Sequence, residues 1–375
     1  MCDLRDERVE LKKGMRTVPV AEAVGMVLAH DITEIRTGEF KGRAFKKGHI
    51  VTAADIEHLR RLGKEHLYVL SIAGDEMHED EAAYALAGAL KGEGIAIQGE
   101  PKEGKITLLA DRDGLLTVNA PLLARFNLSG EVMCATLHTN TVVRKGDAVA
   151  GTRALPLIVK RSAVEAAVAL ARSAGPALCV REMRAPKAGV VITGNEVYYG
   201  RIKDAFAPII TAKVAAFNGE VLGVYYAPDD EETIAARLRE LIAAGADLLI
   251  TSGGMSVDPD DVTRFAIEQL GVVESSYGSA VLPGAMVMVA YVSAEARRNG
   301  GDRSAEAREE GGDRLIPVIG IPACGMYHKT TVFDLILPRI LAGERIGRKE
   351  LAELGHGGLC LNCRECRFPL CPFGK

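Results

Sequence analysis

The 375-residue chain is 48% hydrophobic and 26% charged, an ordinary balance for a soluble globular protein, and is long enough for two or three domains. Its net charge of -4 and isoelectric point near 6.1 supply no global attraction to nucleic acid or to an anionic membrane, so an anion site has to be built locally. The polar start Met1-Cys2-Asp3-Leu4-Arg5-Asp6-Glu7 lacks the apolar core of a signal peptide, and no stretch reaches the length of a membrane span, so a cytoplasmic protein is expected.

Residues 1–75 read as a small α+β region. Thr52-Ala53-Ala54-Asp55 starts a helical pattern through Ile56, Leu59 and Leu62, Gly63 stops it, and the strand-like Leu67-Tyr68-Val69-Leu70 follows. His30, His49, His58 and His66 have no metal-ligand spacing and are expected to be satisfied surface histidines. Residues 76–160 read as a β-rich module after one helix near Ala82 to Leu90, with strands at Ile106–Leu109, Leu115–Val118, Glu131–Leu137 and Thr141–Val143. Packing or oligomerisation is its expected role. Residues 161–185 hold a connecting helix that ends at Gly175-Pro176.

Over residues 186–345 strands and helices alternate. Val190-Val191-Ile192-Thr193 is a β-branched strand, a helix runs from about Pro208 to Phe217, and Val221 to Tyr226 is a second strand. Asp229-Asp230 caps a helix that carries Ile234, Leu238, Leu241 and Ile242. The run Asp247 to Ser252 is a third strand, and a helix over Thr330 to Leu341 closes the pattern. Units of this length predict an α/β fold with a mostly parallel sheet between two layers of helices. Ser293 to Arg314 lacks apolar periodicity and is expected to be an exposed hairpin tip.

The loops after these strands carry the candidate chemistry. Ser252-Gly253-Gly254 lets backbone N–H groups approach an oxyanion, and Asp258-Pro259-Asp260-Asp261 follows as an acidic helix start. Taken alone, that acidic run has a less favoured alternative reading as a capped helix whose acids complement its dipole. Acids and an anion share a site when Mg²⁺ lies between them, bound by one or two carboxylates and ligand phosphates. Similar turns occur at Thr193-Gly194-Asn195-Glu196, Leu282-Pro283-Gly284 and Gly320-Ile321-Pro322-Ala323-Cys324-Gly325. Loops that follow parallel strands converge on one sheet edge, which predicts a shared pocket. Cys324 lies in such a loop, either facing a ligand or as a small buried thiol.

Thr193-Gly194-Asn195-Glu196, the run Ser252-Gly253-Gly254-Met255-Ser256-Val257 with Asp261, Pro283-Gly284 and Gly320-Ile321-Pro322 resemble, in order and spacing, the molybdopterin-binding domain of molybdopterin molybdotransferases, molybdopterin adenylyltransferases and gephyrin. The segment Val20 to Ala29 also looks like the start of the longer molybdotransferase chains, and Val149 to Arg153 is similar to the end of their β-rich part. The resemblance implies a three-layer molybdopterin-binding domain and a cleft for molybdopterin or the molybdenum cofactor. It also implies Mg²⁺ and a homo-oligomer. Asp261, Glu196 and Asp258 are the candidate catalytic acids. Thr193, Gly194, Asn195, Ser252, Gly253, Gly254, Ser256, Pro283, Gly284, Pro322 and Cys324 are the candidate cofactor-binding residues.

Three positions depart from the family pattern. Asn195 stands where an aspartate is usual, Leu282 where a lysine is expected, and Pro322-Ala323-Cys324-Gly325 replaces Pro-Gly-Asn-Pro. Two functions follow: Mg²⁺-dependent insertion of molybdate into adenylylated molybdopterin, or a non-catalytic carrier or maturation factor that serves a molybdoenzyme.

Residues 346–375 form a separate cysteine-rich tail. Cys360, Cys363, Cys366 and Cys371 have C-x2-C-x2-C-x4-C-P spacing, one residue longer at the last step than a ferredoxin run, and are candidate ligands for Zn²⁺ or an iron–sulfur cluster. Arg364, Arg367 and Lys375 are too few for a nucleic-acid interface.

Overall fold

The computed structural model describes residues 15–36, 40–70, 72–255, 258, 261–293 and 315–375. The chain divides into two compact units, one of residues 1–111, 118–137 and 145–179, the other of residues 112–117, 138–144 and 180–375. The expected segments 1–75 and 76–160 fall largely in the first unit, and 186–345 and 346–375 in the second. Among the described residues no helix is long and apolar enough to cross a membrane.

In the first unit, strand His66–Leu70 pairs antiparallel with Met15–Pro19 and with Val27–Leu28. Its alternation buries Leu67 and Val69 with Val18, Leu28, Ile32 and Leu59, the last from the helix Asp55–Arg61. His49 bonds Asp55 at 2.7 Å and His58 bonds Glu34 at 3.3 Å, so both are satisfied partners of carboxylates. The expected helix is Glu79–Leu90, and it buries Ala82, Ala83, Leu86, Ala87 and Leu90. A four-stranded antiparallel sheet accompanies it, in the order Val132–Thr136, Ala148–Ala154, Lys105–Ala110, Ile95–Lys102. A helix not expected from the sequence, Ala120–Asn127, begins where the Asn119 side chain accepts the Leu122 N–H at 3.1 Å.

The second unit is built on a six-stranded sheet. Its strands are β1 (Lys187–Thr193), β2 (Glu220–Ala227), β3 (Leu248–Ser252), β4 (Val272–Tyr277), β5 (Met288–Ser293) and β6 (Leu315–Ile321), in spatial order β2-β1-β3-β6-β5-β4. The first four in that order are parallel, β5 runs antiparallel to β6, and the edge strand β4 runs antiparallel to β5, which makes the expected α/β sheet mostly parallel. Helices α1 (Phe206–Ala215), α2 (Glu231–Ala243), α3 (Thr263–Glu268) and α4 (Val332–Leu341) cover it.

Strand β1 shows why the run Val190-Val191-Ile192 lacks polar alternation. Val190 and Ile192 pack in one core with Ile210 and Val214 of α1 and Phe333, Ile336 and Leu337 of α4. Val191 packs in a second core with Ile234, Leu238 and Leu241 of α2 and Ala266 and Ile267 of α3. A strand buried on both faces is apolar throughout. Ser293 pairs with Leu315 across the expected hairpin, whose tip, residues 294–314, lies outside the described residues.

The cysteine-rich segment is docked onto this unit. Leu282 N–H donates to Gly358 O and Cys360 N–H to Leu282 O, both at 2.8 Å, while Phe373 is buried in the core that holds α1 and α4.

Candidate functional site

The parallel strands β1, β2, β3 and β6 end on one edge, and the loops that follow them enclose a cleft of about 460 Å³. Thr193, Gly194, Glu196, Gly253, Gly254, Asp258 and Asp261 line it, as do Ala323 and Met326 from the turn after β6. Asp258 is described, but Ser256, Val257, Pro259 and Asp260 lie outside the described residues.

Thr193 holds two of the loops together. Its hydroxyl donates to Ser252 O at 2.9 Å and lies 3.0 Å from the Thr263 hydroxyl. Gly253 has φ +87°, and a Cβ there would run into the Thr193 carbonyl; only glycine allows this approach. Gly254, at φ +58°, is pressed in the same way against the Thr263 hydroxyl. Ser252 itself is fully buried, and its hydroxyl has no hydrogen-bond partner among the described residues, so its backbone carries its part in the site.

Of the acids after Gly254, the described Asp258 and Asp261 lie outside any helix. Asp258 and Asp261 precede helix α3, which begins at Thr263, and the Thr263 N–H donates to Gly254 O at 3.2 Å. The Asp261 carboxylate accepts the Asp258 N–H at 2.8 Å and the Asp261 N–H donates to Asp258 O at 3.0 Å. Helix α3 has only six residues and offers no positive end of consequence to an anion.

Sequence reasoning passed over several lining residues: Lys203, Asp204 and Asp229. Asp229 follows β2 at the same sheet edge as the glycine turns, and that position was its available signal. The Asn195 N–H donates to the Asp229 carboxylate at 2.9 Å, and the Asp229 N–H donates to the Asn195 side-chain oxygen at 3.4 Å. Asp204 accepts the N–H groups of Phe206 and Ala207 at the start of α1 and the Tyr226 hydroxyl at 3.2 Å. Burial, together with this carboxylate, raises the pKa of Tyr226.

Pro283, Gly284, Pro322 and Cys324 do not line the cleft. Pro283 O accepts the Val332 N–H and Gly284 packs on Val332, both at the head of α4. Burial pushes the Cys324 thiol above its ordinary value, which suits a packed thiol.

Five carboxylates (Glu196, Asp204, Asp229, Asp258 and Asp261) and one lysine thus share the cleft lining. A bare phosphate meets repulsion there, and a divalent cation would offset it. Among the described residues no three His, Cys, Asp or Glu side chains are close enough to hold one metal ion. Mg²⁺ asks for no such cage, because ligand phosphates and water complete its shell beside one or two carboxylates. The donor set therefore fits Mg²⁺ held jointly with a phosphate. Cys360, Cys363, Cys366 and Cys371 likewise form no such group, so this finding supports neither the Zn²⁺ nor the iron–sulfur expectation.

Residues 189–342 match a family model described as a probable molybdopterin binding domain. They form a molybdopterin-binding-family domain. Residues 17–71 match a model described as a domain of unknown function. A CinA-like protein of Mycobacterium sp. (strain MCS) is 39% identical over 77 residues, which are 20% of this chain and 18% of that protein. A CinA-like protein of Mycolicibacterium vanbaalenii is 34% identical over 118 residues, 29% of this chain and 28% of its own. The chain thus matches between about a fifth and a third of the length of these relatives. Among solved structures, the tungsten cofactor synthesizing protein MoaB from Pyrococcus furiosus is similar over 43% of this chain and 98% of its own, at 19% identity and a TM-score of 0.32. A molybdenum cofactor biosynthesis protein from the same organism is similar over 92% of this chain and 69% of its own, at 16% identity and a TM-score of 0.24. The molybdopterin-binding-family domain includes every cleft-lining residue named above.

Proposed function

We propose that this protein acts in molybdenum cofactor biosynthesis in the cytoplasm, binding molybdopterin in the cleft and catalysing the Mg²⁺-dependent exchange of adenylate for molybdate on adenylylated molybdopterin. The observation that carries the reading is the convergence of the Thr193–Glu196 turn, the Gly253-Gly254 turn and the acidic loop on one cleft within the family domain. Bound Mg²⁺ would supply positive charge to the phosphates at the bond that breaks. Glu196 and Asp261 are its proposed ligands, with Asp258 and Asp229 beside them. Gly253 and Gly254 line the cleft without side chains to bar a phosphate oxygen, and Lys203 provides a cation that the Leu282-Pro283-Gly284 loop lacks.

A carrier that retains finished cofactor for a molybdoenzyme or its maturation factor is the second reading. Asn195 favours it, because its side chain is occupied with the Asp229 backbone and contributes no charge. The two readings are separated by incubating the protein with adenylylated molybdopterin, Mg²⁺ and molybdate and following AMP release. Release that is lost in Asp261→Asn supports the enzyme. Retention of the pterin without AMP release leaves the carrier, and failure to bind the pterin at all removes both.

A further inference from the structure

The four tail cysteines line one cavity of about 370 Å³ on the second unit, distinct from the acidic cleft. Cys360 and Cys371 are partly buried and pack against the α1/α4 core, while Cys363 and Cys366 lie on the exposed side. Asn362, at φ +49°, turns the chain between Cys360 and Cys363. The segment is pinned at its two ends by the Cys360–Leu282 bond and by buried Phe373. The thiols therefore surround a formed cavity and do not hang on a free tail.

The size of the cavity bears on the choice of metal. Four thiolates on one zinc ion, each about 2.3 Å from it, lie about 3.8 Å from one another. All four cysteines are among the residues lining a cavity of about 370 Å³, room for a group larger than one ion. A polynuclear cluster separates its thiolates by binding each to a different iron. The lining also suits such an anionic group. Lys329, Arg364 and Arg367 supply positive charge, no Asp or Glu is among the lining residues, and Leu359, Phe368 and Phe373 add apolar surface. Thr330 Oγ1 lies 3.3 Å from Cys366 Sγ, the kind of hydrogen bond to a ligand sulfur that tunes cluster potential.

We propose that Cys360, Cys363, Cys366 and Cys371 together hold one [4Fe–4S] cluster in this cavity. In the two-cluster ferredoxin run the fourth cysteine serves the other cluster. Here Cys371, one residue later than in that run, lines the same cavity as the other three. The loop after β6 joins the two places: Ala323 and Met326 line the acidic cleft, and Tyr327 to Thr330 line the thiol cavity. The cluster thus sits one loop away from the proposed pterin site.

The test uses the full chain, purified anaerobically and reconstituted with ferrous iron, sulfide and a thiol reductant, with zinc offered in a parallel sample. Expected are about four iron and four acid-labile sulfide per chain, a brown colour, and an electron paramagnetic resonance signal on reduction with dithionite. Cys363→Ser/Cys366→Ser is expected to lose at least nine-tenths of the iron while keeping its circular dichroism spectrum, and Cys179→Ser to keep its iron. Thr330→Val is expected to keep the iron and shift the reduction potential, which covers the case in which the double variant fails to fold. One zinc per chain in preference to iron, about two iron per chain, or no bound metal would each overturn the assignment. Pterin binding at the acidic cleft is a separate measurement, so neither result stands in for the other.

Discussion

Thr193 and Thr263 meet through buried hydroxyls 3.0 Å apart, and since the single Thr193 proton goes to Ser252 O, Thr263 is the donor between them. This relay fastens the end of β1 to the end of β3 and to the start of α3, beneath the cleft. Thr193→Val keeps the shape and removes both bonds, leaving the Thr263 hydroxyl without its acceptor and the Ser252 carbonyl without this donor. A loss of about 1–3 kcal/mol is expected in urea unfolding. Combined with Thr263→Val, the two changes should be non-additive by at least about 0.5 kcal/mol; strict additivity would show that the relay does not act as a unit.

Gly253→Ala tests the close approach of the two turns. The new methyl group points at the Thr193 carbonyl from a backbone at φ +87°. Strain of about 1–3 kcal/mol follows, so a lower melting temperature is expected together with at least a tenfold loss of molybdopterin affinity by calorimetry. Gly200→Ala, also at positive φ but with open space around its Cβ position, is the control for backbone strain alone. Equal pterin losses in both variants would remove the argument from approach.

What was legible in the sequence was what depends on nearest neighbours. Val190-Val191-Ile192 followed by Thr193-Gly194, and Leu248-Leu249-Ile250 followed by Ser252-Gly253-Gly254, announce strands that end in tight turns, and parallel order then brings the turns together. Asp229 was hidden because Asp229-Asp230 already had an explanation as a cap; Asp230 alone takes that role, accepting the Thr233 N–H at 2.8 Å. Asp258-Pro259-Asp260-Asp261 satisfies the rules for a helix start, but the described helix begins at Thr263, whose N–H is tied to Gly254 O. The cysteine spacing was visible, whereas Lys329 and Thr330, which complete that cavity, come from 30 or more residues upstream of Cys360 and leave no local trace.

The pH dependence of the first unit is expected to run through Asp55. Burial works against its ionisation, but hydrogen bonds from His49 and from the Thr52 N–H and hydroxyl outweigh it and hold the carboxyl below its ordinary 3.8. A depressed carboxylate stabilises the fold above its unfolded pKa, and the contribution is lost as pH falls through the lower folded value. Thermal melts from pH 5 downward should therefore show the unit weakening below about pH 3.8. Asp55→Asn, which keeps an acceptor for Thr52 but no charge, should flatten that slope and lower stability at pH 7 by about 1 kcal/mol. A variant with an unchanged slope would remove Asp55 as the cause.

Asn195→Asp asks whether the cleft is arranged for a divalent cation. An aspartate there can still accept the Asp229 N–H, so the turn is kept, while a negative charge is added beside Asp229 and Glu196. Without a cation the added repulsion should lower the melting temperature relative to the parent chain. With millimolar Mg²⁺ the deficit should close, and calorimetry should show Mg²⁺ bound about five to ten times more tightly, equivalent to about 1–1.4 kcal/mol. Faster AMP release in the same variant would follow if the restored carboxylate lies beside the phosphate that is exchanged. A melting deficit that Mg²⁺ leaves untouched, with no gain in Mg²⁺ affinity, would mean that these carboxylates serve the loops alone and that the cleft binds its ligand without a metal.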